Sequence, residues 1–373
     1  MTVLQRGIKR LAQERLLLCF GLLAIVLAVA DPRHIADYRR WLQLPTLGGL
    51  LGLLICIQGI RDSGLVQRMA ATLVERVHSL RGLGLLLVCI TALLSMVLTN
   101  DVSLFLIVPL TLAIGGISNL PIMRTVVLEA LAVNAGSTLS PIGNPQNLLL
   151  WQYGQLPFLP FVQAMLPAFA TMFVLLVALT LVWMPKGRVQ LDAAQVDGHP
   201  ISVAQAVLSV GALISMVLMM EHGHAALGAL LLFIPFALLE RSTLARVDWL
   251  LLATFVAIFL GLGHFAELAI VQHALDGLNL DNPLTLYVSG IVASQVISNV
   301  PATVLLLGHA PDAAALAVAV NVGGFGLAIG SLANLIALRL AKQPHGGRLF
   351  HQVSIPFLLV CAPLVYLVYR WLG

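Results

Sequence analysis

The chain has 373 residues, of which 60% are apolar and only 10% charged, with a formal net charge of +4. Soluble domains carry about 25% charged residues, so 20 basic and 16 acidic side chains cannot cover a water-facing surface of this size. A soluble globular enzyme and a disordered chain are excluded, and a polytopic all-α membrane protein remains.

In chain order, Arg6, Lys9, Arg10 and Arg15 precede an apolar run at 16–30. Ala28-Val29-Ala30 resembles a signal-peptidase site, but the run is read as an uncleaved first helix. Further candidate crossings lie at 41–60, 122–150, 161–184, 201–220, 225–239, 249–263, 313–338 and 351–369. Two other apolar blocks, 82–118 and 284–308, are interrupted midway by Thr99-Asn100-Asp101 and Ser298-Asn299. A polar break halfway along an apolar block predicts a re-entrant hairpin, tolerated only where it is buried or lines a cavity. Segment 65–77 carries Val66, Met69, Ala70, Leu73, Val74 and Val77 on one helical stripe, predicting an interfacial helix, with a counterpart at 265–278. Gly48-x-x-x-Gly52 reads as close helix packing. Cys19, Cys56, Cys89 and Cys361 have no metal or disulfide spacing.

With the N-terminus inside and both hairpins non-crossing, every Lys and Arg except Arg33, Arg39, Arg40 and Arg370 is cytoplasmic. This is the positive-inside pattern.

Residues 134–148 read NAGSTLSPIGNPQNL and residues 321–335 read NVGGFGLAIGSLANL. Ungapped, they share Asn134/Asn321, Gly136/Gly323, Ile142/Ile329, Gly143/Gly330, Asn147/Asn334 and Leu148/Leu335. Each block follows a polar-tipped hairpin. An odd number of crossings between the copies predicts an inverted repeat: 1–184 with the N-terminal helix, a cytoplasmic linker at 185–200, and 201–373. Gly136, Pro141, Gly143 and Pro145, then Gly323, Gly324, Gly326 and Gly330, break both helices. Broken helices inside a membrane expose amides on one half and carbonyls on the other, offering anion and cation sites without fixed charge. The predicted architecture is thus an inverted repeat with two re-entrant hairpins and two broken transmembrane helices.

At these residues the sequence resembles the ArsB/NhaD-type permeases of the ion transporter superfamily, which includes arsenite permeases, sodium/proton antiporters, citrate carriers and divalent-anion/sodium symporters. LTNDVSLFLIVPL, NAGSTLSPIGNPQNLLLW, SQVISNVPATVLLL and NVGGFGLAIGSLANL carry the resemblance. It implies an elevator-type carrier, often a homodimer, in a bacterial-type inner membrane with a cytoplasmic N-terminus. The dicarboxylate branch reads Ser-Asn-Thr at the tips. Here Asp101 and Val300 stand at the third positions, which argues against a dicarboxylate.

The candidate substrate-binding set is Asn100, Ser137, Thr138, Asn144, Asn147, Asn299, Thr303, Ser331 and Asn334. The candidate coupling-ion set is Asp101, Asn134, Gly143, Asn321, Gly330 and Glu129, with Glu129 alternatively pairing with Arg124. An acid at membrane depth is functional by default, which singles out Asp101. His264 and Glu267 read as interfacial packing. No cofactor or metal is expected; sodium is a candidate coupling ion, and the partners are a small solute and the lipid bilayer, with no nucleic acid. The reading is a secondary carrier of a small anion or oxyanion coupled to sodium or protons. A sodium/proton antiporter and a permease for a neutral metalloid such as arsenite remain open. No enzyme motif is present, so catalysis is not expected.

Overall fold

Backbone amides and carbonyls inside a bilayer need partners within the chain, and helices supply them locally. The computed structural model describes residues 15–42, 44–155, 157–190, 201–343 and 345–372, which are helical almost throughout. Among the described residues no strand forms, and the only β pairing is an isolated bridge between Ser79 and Arg188. Arg6, Lys9, Arg10 and most of the 185–200 linker lie outside the described residues.

The helices run α1 (Arg15–Ala30), α2 (Tyr38–Trp41), α3 (Leu44–Asp62), α4 (Leu65–Arg76), α5 (Leu80–Val97), α6 (Asn100–Ile117), α7 (Ile122–Ser137), α8 (Pro145–Gly154) and α9 (Phe158–Trp183). They continue as α10 (Val203–Glu221), α11 (Ala225–Leu239), α12 (Arg241–Arg246), α13 (Trp249–Ala266), α14 (Ala269–Asp276), α15 (Pro283–Ile297), α16 (Asn299–Leu307), α17 (Ala313–Val322), α18 (Leu332–Ala341) and α19 (Gly346–Leu372). Seven of those described, α3, α5, α6, α9, α10, α13 and α19, are long and apolar enough to cross a membrane.

Packing divides the chain into two units, each drawn from both halves of the sequence. The first holds residues up to Ser63 with Ser202–Gly277. In it α1 packs on α13, and α3 packs on α10 and α11. A Cβ on Gly48 would come within 2.6 Å of the Ala226 Cα, so the Gly48-x-x-x-Gly52 spacing does mark a close helix contact. The buried His264 meets the Tyr38 hydroxyl at 3.1 Å through Nδ1 and lies 5.5 Å, centroid to centroid, from the Trp41 ring. Glu267 accepts from Arg40 at 3.1 Å. His264 thus packs among aromatic rings, and Glu267 forms an ion pair that the sequence reading did not name.

Several boundaries differ from the sequence reading; the last helix, for one, runs Gly346–Leu372 where 351–369 is expected. Trp41 belongs to α2, and the crossing helix starts at Leu44. The expected amphipathic segment 265–278 is split: α13 runs to Ala266, the chain turns at Glu267, and α14 covers only Ala269–Asp276. Its equivalent, α4, buries Val66, Ala70 and Val74 but leaves Met69 exposed, so its apolar stripe is narrower than predicted.

The second unit holds Gly64–Ile201 and Leu278–Gly373. Here α5 and α6 pack on each other across a short join at Leu98 and Thr99, and α15 and α16 do so across Ser298. Helix α7 packs on α5, α6 and α18; α17 packs on α15 and α8; α9 packs on α19. The 18-residue arms α5 and α6 are about 27 Å long, close to a bilayer core. The arms α15 and α16, of 15 and 9 residues, are shorter than that. Ser298 has φ 71° and ψ 156°, a region almost reserved for glycine.

Candidate functional site

Both predicted helix breaks are present, and both lie in the second unit. Helix α7 stops at Ser137 and α8 restarts at Pro145. Asn144 caps that restart: its side chain accepts from Asn147 N at 2.8 Å. Helix α17 stops at Val322, a 3-10 turn covers Ala328–Gly330, and α18 restarts at Leu332 after Ser331. The two half-helices that follow end alike, with Gln155 and Lys342 both at φ 49° and ψ 29°. These residues occupy equivalent positions in the repeat, so the similarity extends past the shared residues.

Close approach explains the glycines. A Cβ on Gly136 would fall 2.7 Å from Ala92 Cα, and one on Gly323 would fall 2.6 Å from Ser294 Cβ. A Cβ on Gly143 would lie 2.8 Å from Ser95 O, and one on Gly330 would lie 2.7 Å from Gly323 O. Gly143 and Gly330 thus shape the breaks; Gly143 O also accepts from Asn100 N at 2.8 Å.

The asparagines form one hydrogen-bonded cluster. Asn134 Nδ2 donates to Asn334 Oδ1 at 2.8 Å and to Ala130 O at 2.8 Å. Asn321 Nδ2 donates to Asn147 Oδ1 at 2.5 Å and to Ala317 O at 2.7 Å. The two sets are the same bonds with the repeats exchanged. Asn147 Nδ2 donates to Ser137 O at 3.1 Å, and Asn334 Nδ2 to the equivalent Gly324 O at 2.8 Å. Asn144 Nδ2 joins Ser137 Oγ at 3.0 Å to Asn321 Oδ1 at 2.9 Å. All five asparagines are buried. Among the described residues no Lys or Arg hydrogen-bonds to the cluster.

The tips meet the breaks. Besides the Asn100–Gly143 bond, Gln295 at the end of α15 donates from Nε2 to Gly323 O at 2.6 Å and Phe325 O at 2.9 Å. Its Oε1 accepts from Leu327 N at 2.7 Å. Asn100 and Asn299 behave alike, each side-chain oxygen accepting from the next backbone N–H, at 2.9 and 3.0 Å. Helices α6, α8, α16 and α18 therefore all begin at a tip or a break.

Not every predicted residue joins the cluster. The Thr303 hydroxyl donates to Asn299 O on its own helix at 2.8 Å, whereas Thr138, at the end of α7, donates to Asn134 O at 2.8 Å and accepts from Asn147 Nδ2 through its carbonyl at 3.0 Å. Asp101 sits in the first turn of α6, half-buried, with no ion-pair partner among the described residues. Glu129 is fully buried but outside the amide cluster. Its Oε1 accepts from the Thr111 hydroxyl, and its Oε2 has no partner among the described residues. The alternative pairing with Arg124 is not made. Arg124 donates to Trp183 O at 3.2 Å and lies over that indole.

Gln146, Gln295 and Thr111 were not anticipated. Their repeat equivalents or surroundings are apolar, and a symmetry-based reading passes over such positions. Among the described residues no group of three His, Cys, Asp or Glu side chains is placed to hold a metal.

Residues 13–315 match the model of the citrate transporter family, CitMHS. The chain belongs to this family. It is 39% identical over 324 residues to the inner membrane protein YbiR of Escherichia coli (strain K12), covering 87% of each chain. It is 29% identical over 327 residues to the uncharacterized transporter MJ0456 of Methanocaldococcus jannaschii, covering 86% of this chain and 87% of that one. A shorter stretch of 145 residues is 30% identical to the silicon efflux transporter LSI3 of Oryza sativa subsp. japonica, covering 39% of this chain and 30% of LSI3. This CitMHS chain is an integral membrane transporter and not an enzyme, in keeping with the superfamily resemblance of its break motifs.

Proposed function

We propose that this transporter is an elevator-type secondary carrier of a small anion or oxyanion, driven by a sodium or proton gradient. The observation that carries the reading is the reciprocal amide cluster, Asn134–Asn334 and Asn321–Asn147, formed at the two helix breaks where α8 and α18 begin. Helix N-termini and neutral amides favour an anion without a fixed base. Asp101, Glu129 and the break carbonyls are then the candidates for the coupling cation.

The reading includes an inverted repeat of 1–184 and 201–373 about the linker 185–200, with α5–α6 and α15–α16 as re-entrant hairpins. It also includes a homodimer in the inner membrane with the N-terminus cytoplasmic. The unit that contains both tips and both breaks is the moving part.

A second reading is an uncharged hydroxy-species, as in an arsenite permease. It is favoured by the absence of Lys and Arg from the described cluster and by the partial similarity to a silicon efflux transporter.

Proteoliposome uptake from a panel of solutes, under imposed sodium or pH gradients, tests these readings. Gradient-driven accumulation of an anion supports the first, and gradient-independent equilibration of arsenous acid alone supports the second. Sodium-driven proton efflux without any solute overturns both in favour of an antiporter.

A further inference from the structure

Three buried polar atoms at a tip and the two breaks of the second unit lack a hydrogen-bond partner among the described residues: Gln146 Oε1, Asn299 Nδ2 and Ser331 Oγ. Their residues are 1%, 2% and 0% exposed. Each lies at the start of a half-helix: Gln146 in the first turn of α8, Asn299 in that of α16, and Ser331 capping α18. Helix α8 packs against both α16 and α17.

The chemical sense of each atom follows from backbone groups, which cannot flip. Ala317 O only accepts, so Asn321 turns Nδ2 towards it and Oδ1 away. Asn144 Nδ2 and Gln146 Nε2 donate to that Oδ1, at 2.9 and 3.4 Å. The Gln146 amide is thereby oriented, and its free Oε1 is an acceptor. Val300 N only donates, to Asn299 Oδ1 at 3.0 Å, so the free Asn299 Nδ2 is a donor. Ser331 can act either way. Packing does not ask for Gln146, since its repeat equivalent is Ala333, fully buried. Leaving such groups unpaired is costly, so they point to a bound solute.

We infer that Gln146 is a specificity-determining substrate contact, and that with Asn299 and Ser331 it selects a small oxyacid or oxyanion that retains an O–H group. The Gln146 carbonyl accepts the solute's hydroxyl hydrogen, while Asn299 and Ser331 donate to its oxygens. A fully deprotonated anion sets an oxygen lone pair against Gln146 Oε1 and is disfavoured. This inference rests on the carrier reading above.

The test is uptake by the full-length chain in proteoliposomes, with arsenous acid, silicic acid, hydrogen phosphate and sulfate as probes. The parent is expected to move at least one of the first three in preference to sulfate. Gln146→Met keeps bulk and loses the acceptor. It should raise the KM for that probe about tenfold and leave the sodium or proton activation midpoint unchanged. Gln146→Ala copies the second repeat and should repeat the result should the Met variant fold poorly. Preference for sulfate overturns the inference, as does an unchanged KM in both variants. So does a moved cation midpoint with constant substrate KM, which assigns Gln146 to the cation instead. In each of those cases the carrier reading stands. A parent that moves no probe under any gradient overturns both.

Discussion

Asn134 donates to Asn334 at 2.8 Å, so the first asparagine of one repeat motif is held by the last asparagine of the other. Asn321 and Asn147 make the complementary bond at 2.5 Å. The breaks therefore interlock: each asparagine bonds a carbonyl of its own copy, and the side-chain oxygens of Asn147 and Asn334 are each met by the other copy. The coupling should be measurable. Asn134→Ala and Asn334→Ala should each lower stability by about 1–3 kcal/mol, because each orphans a buried partner. The double variant should cost less than the sum, with an interaction energy of about 0.5–3 kcal/mol in a thermal double-mutant cycle. Strict additivity contradicts the interlock.

Asp101 and Glu129 are acids where the other repeat has Val300 and Leu316. Neither is needed for packing, since the second copy manages without. Asp101→Asn removes charge and proton exchange but keeps size. It should insert normally and retain counterflow, yet lose gradient-driven accumulation. If it accumulates solute as the parent does, Glu129 and the break carbonyls are the remaining candidates, and Glu129→Gln should then uncouple.

Ser298 holds φ 71° and ψ 156° between α15 and α16. Backbone strain of this kind costs about 1–3 kcal/mol and glycine relieves it. Ser298→Gly should raise the melting temperature while slowing transport, since the tip loses a fixed conformation. A lower melting temperature would show that the serine is not strained.

The hairpin reading predicts that Asn119 and His309, both exposed at the ends of α6 and α16, open to opposite sides of the membrane. The neighbouring Leu120 is only 4% exposed and does not suit labelling. Single cysteines at 119 and 309 should react with an impermeant maleimide from opposite faces. Reaction from one face would remove the inverted repeat.

The helical architecture, both breaks and the duplicated asparagines were legible in the sequence. Glycines and prolines announce a break directly, and a repeat separates chemistry from chance. What the two copies do not share was harder to read. Gln146 stands where the second copy has Ala333, and Gln295 where the first copy has Met96, so neither emerges from the alignment of the halves. Partner choice was also invisible. Glu129 takes Thr111 on α6 and not the nearby Arg124, because helix packing sets its neighbour. The turn at Glu267 goes with an ion pair to Arg40 that hydropathy does not see.

The central claim is that the amide cluster is the transport site and not a packing device. Initial uptake rates in proteoliposomes, compared between the parent and the Asn134→Leu, Asn147→Leu, Asn321→Leu and Asn334→Leu variants at matched folded yield, test it most directly. Each Leu variant should be recovered folded, as judged by a monodisperse profile in detergent, and should lose at least tenfold in rate, the equivalent of about 1.4 kcal/mol. Uptake at the parental rate by all four variants would contradict it.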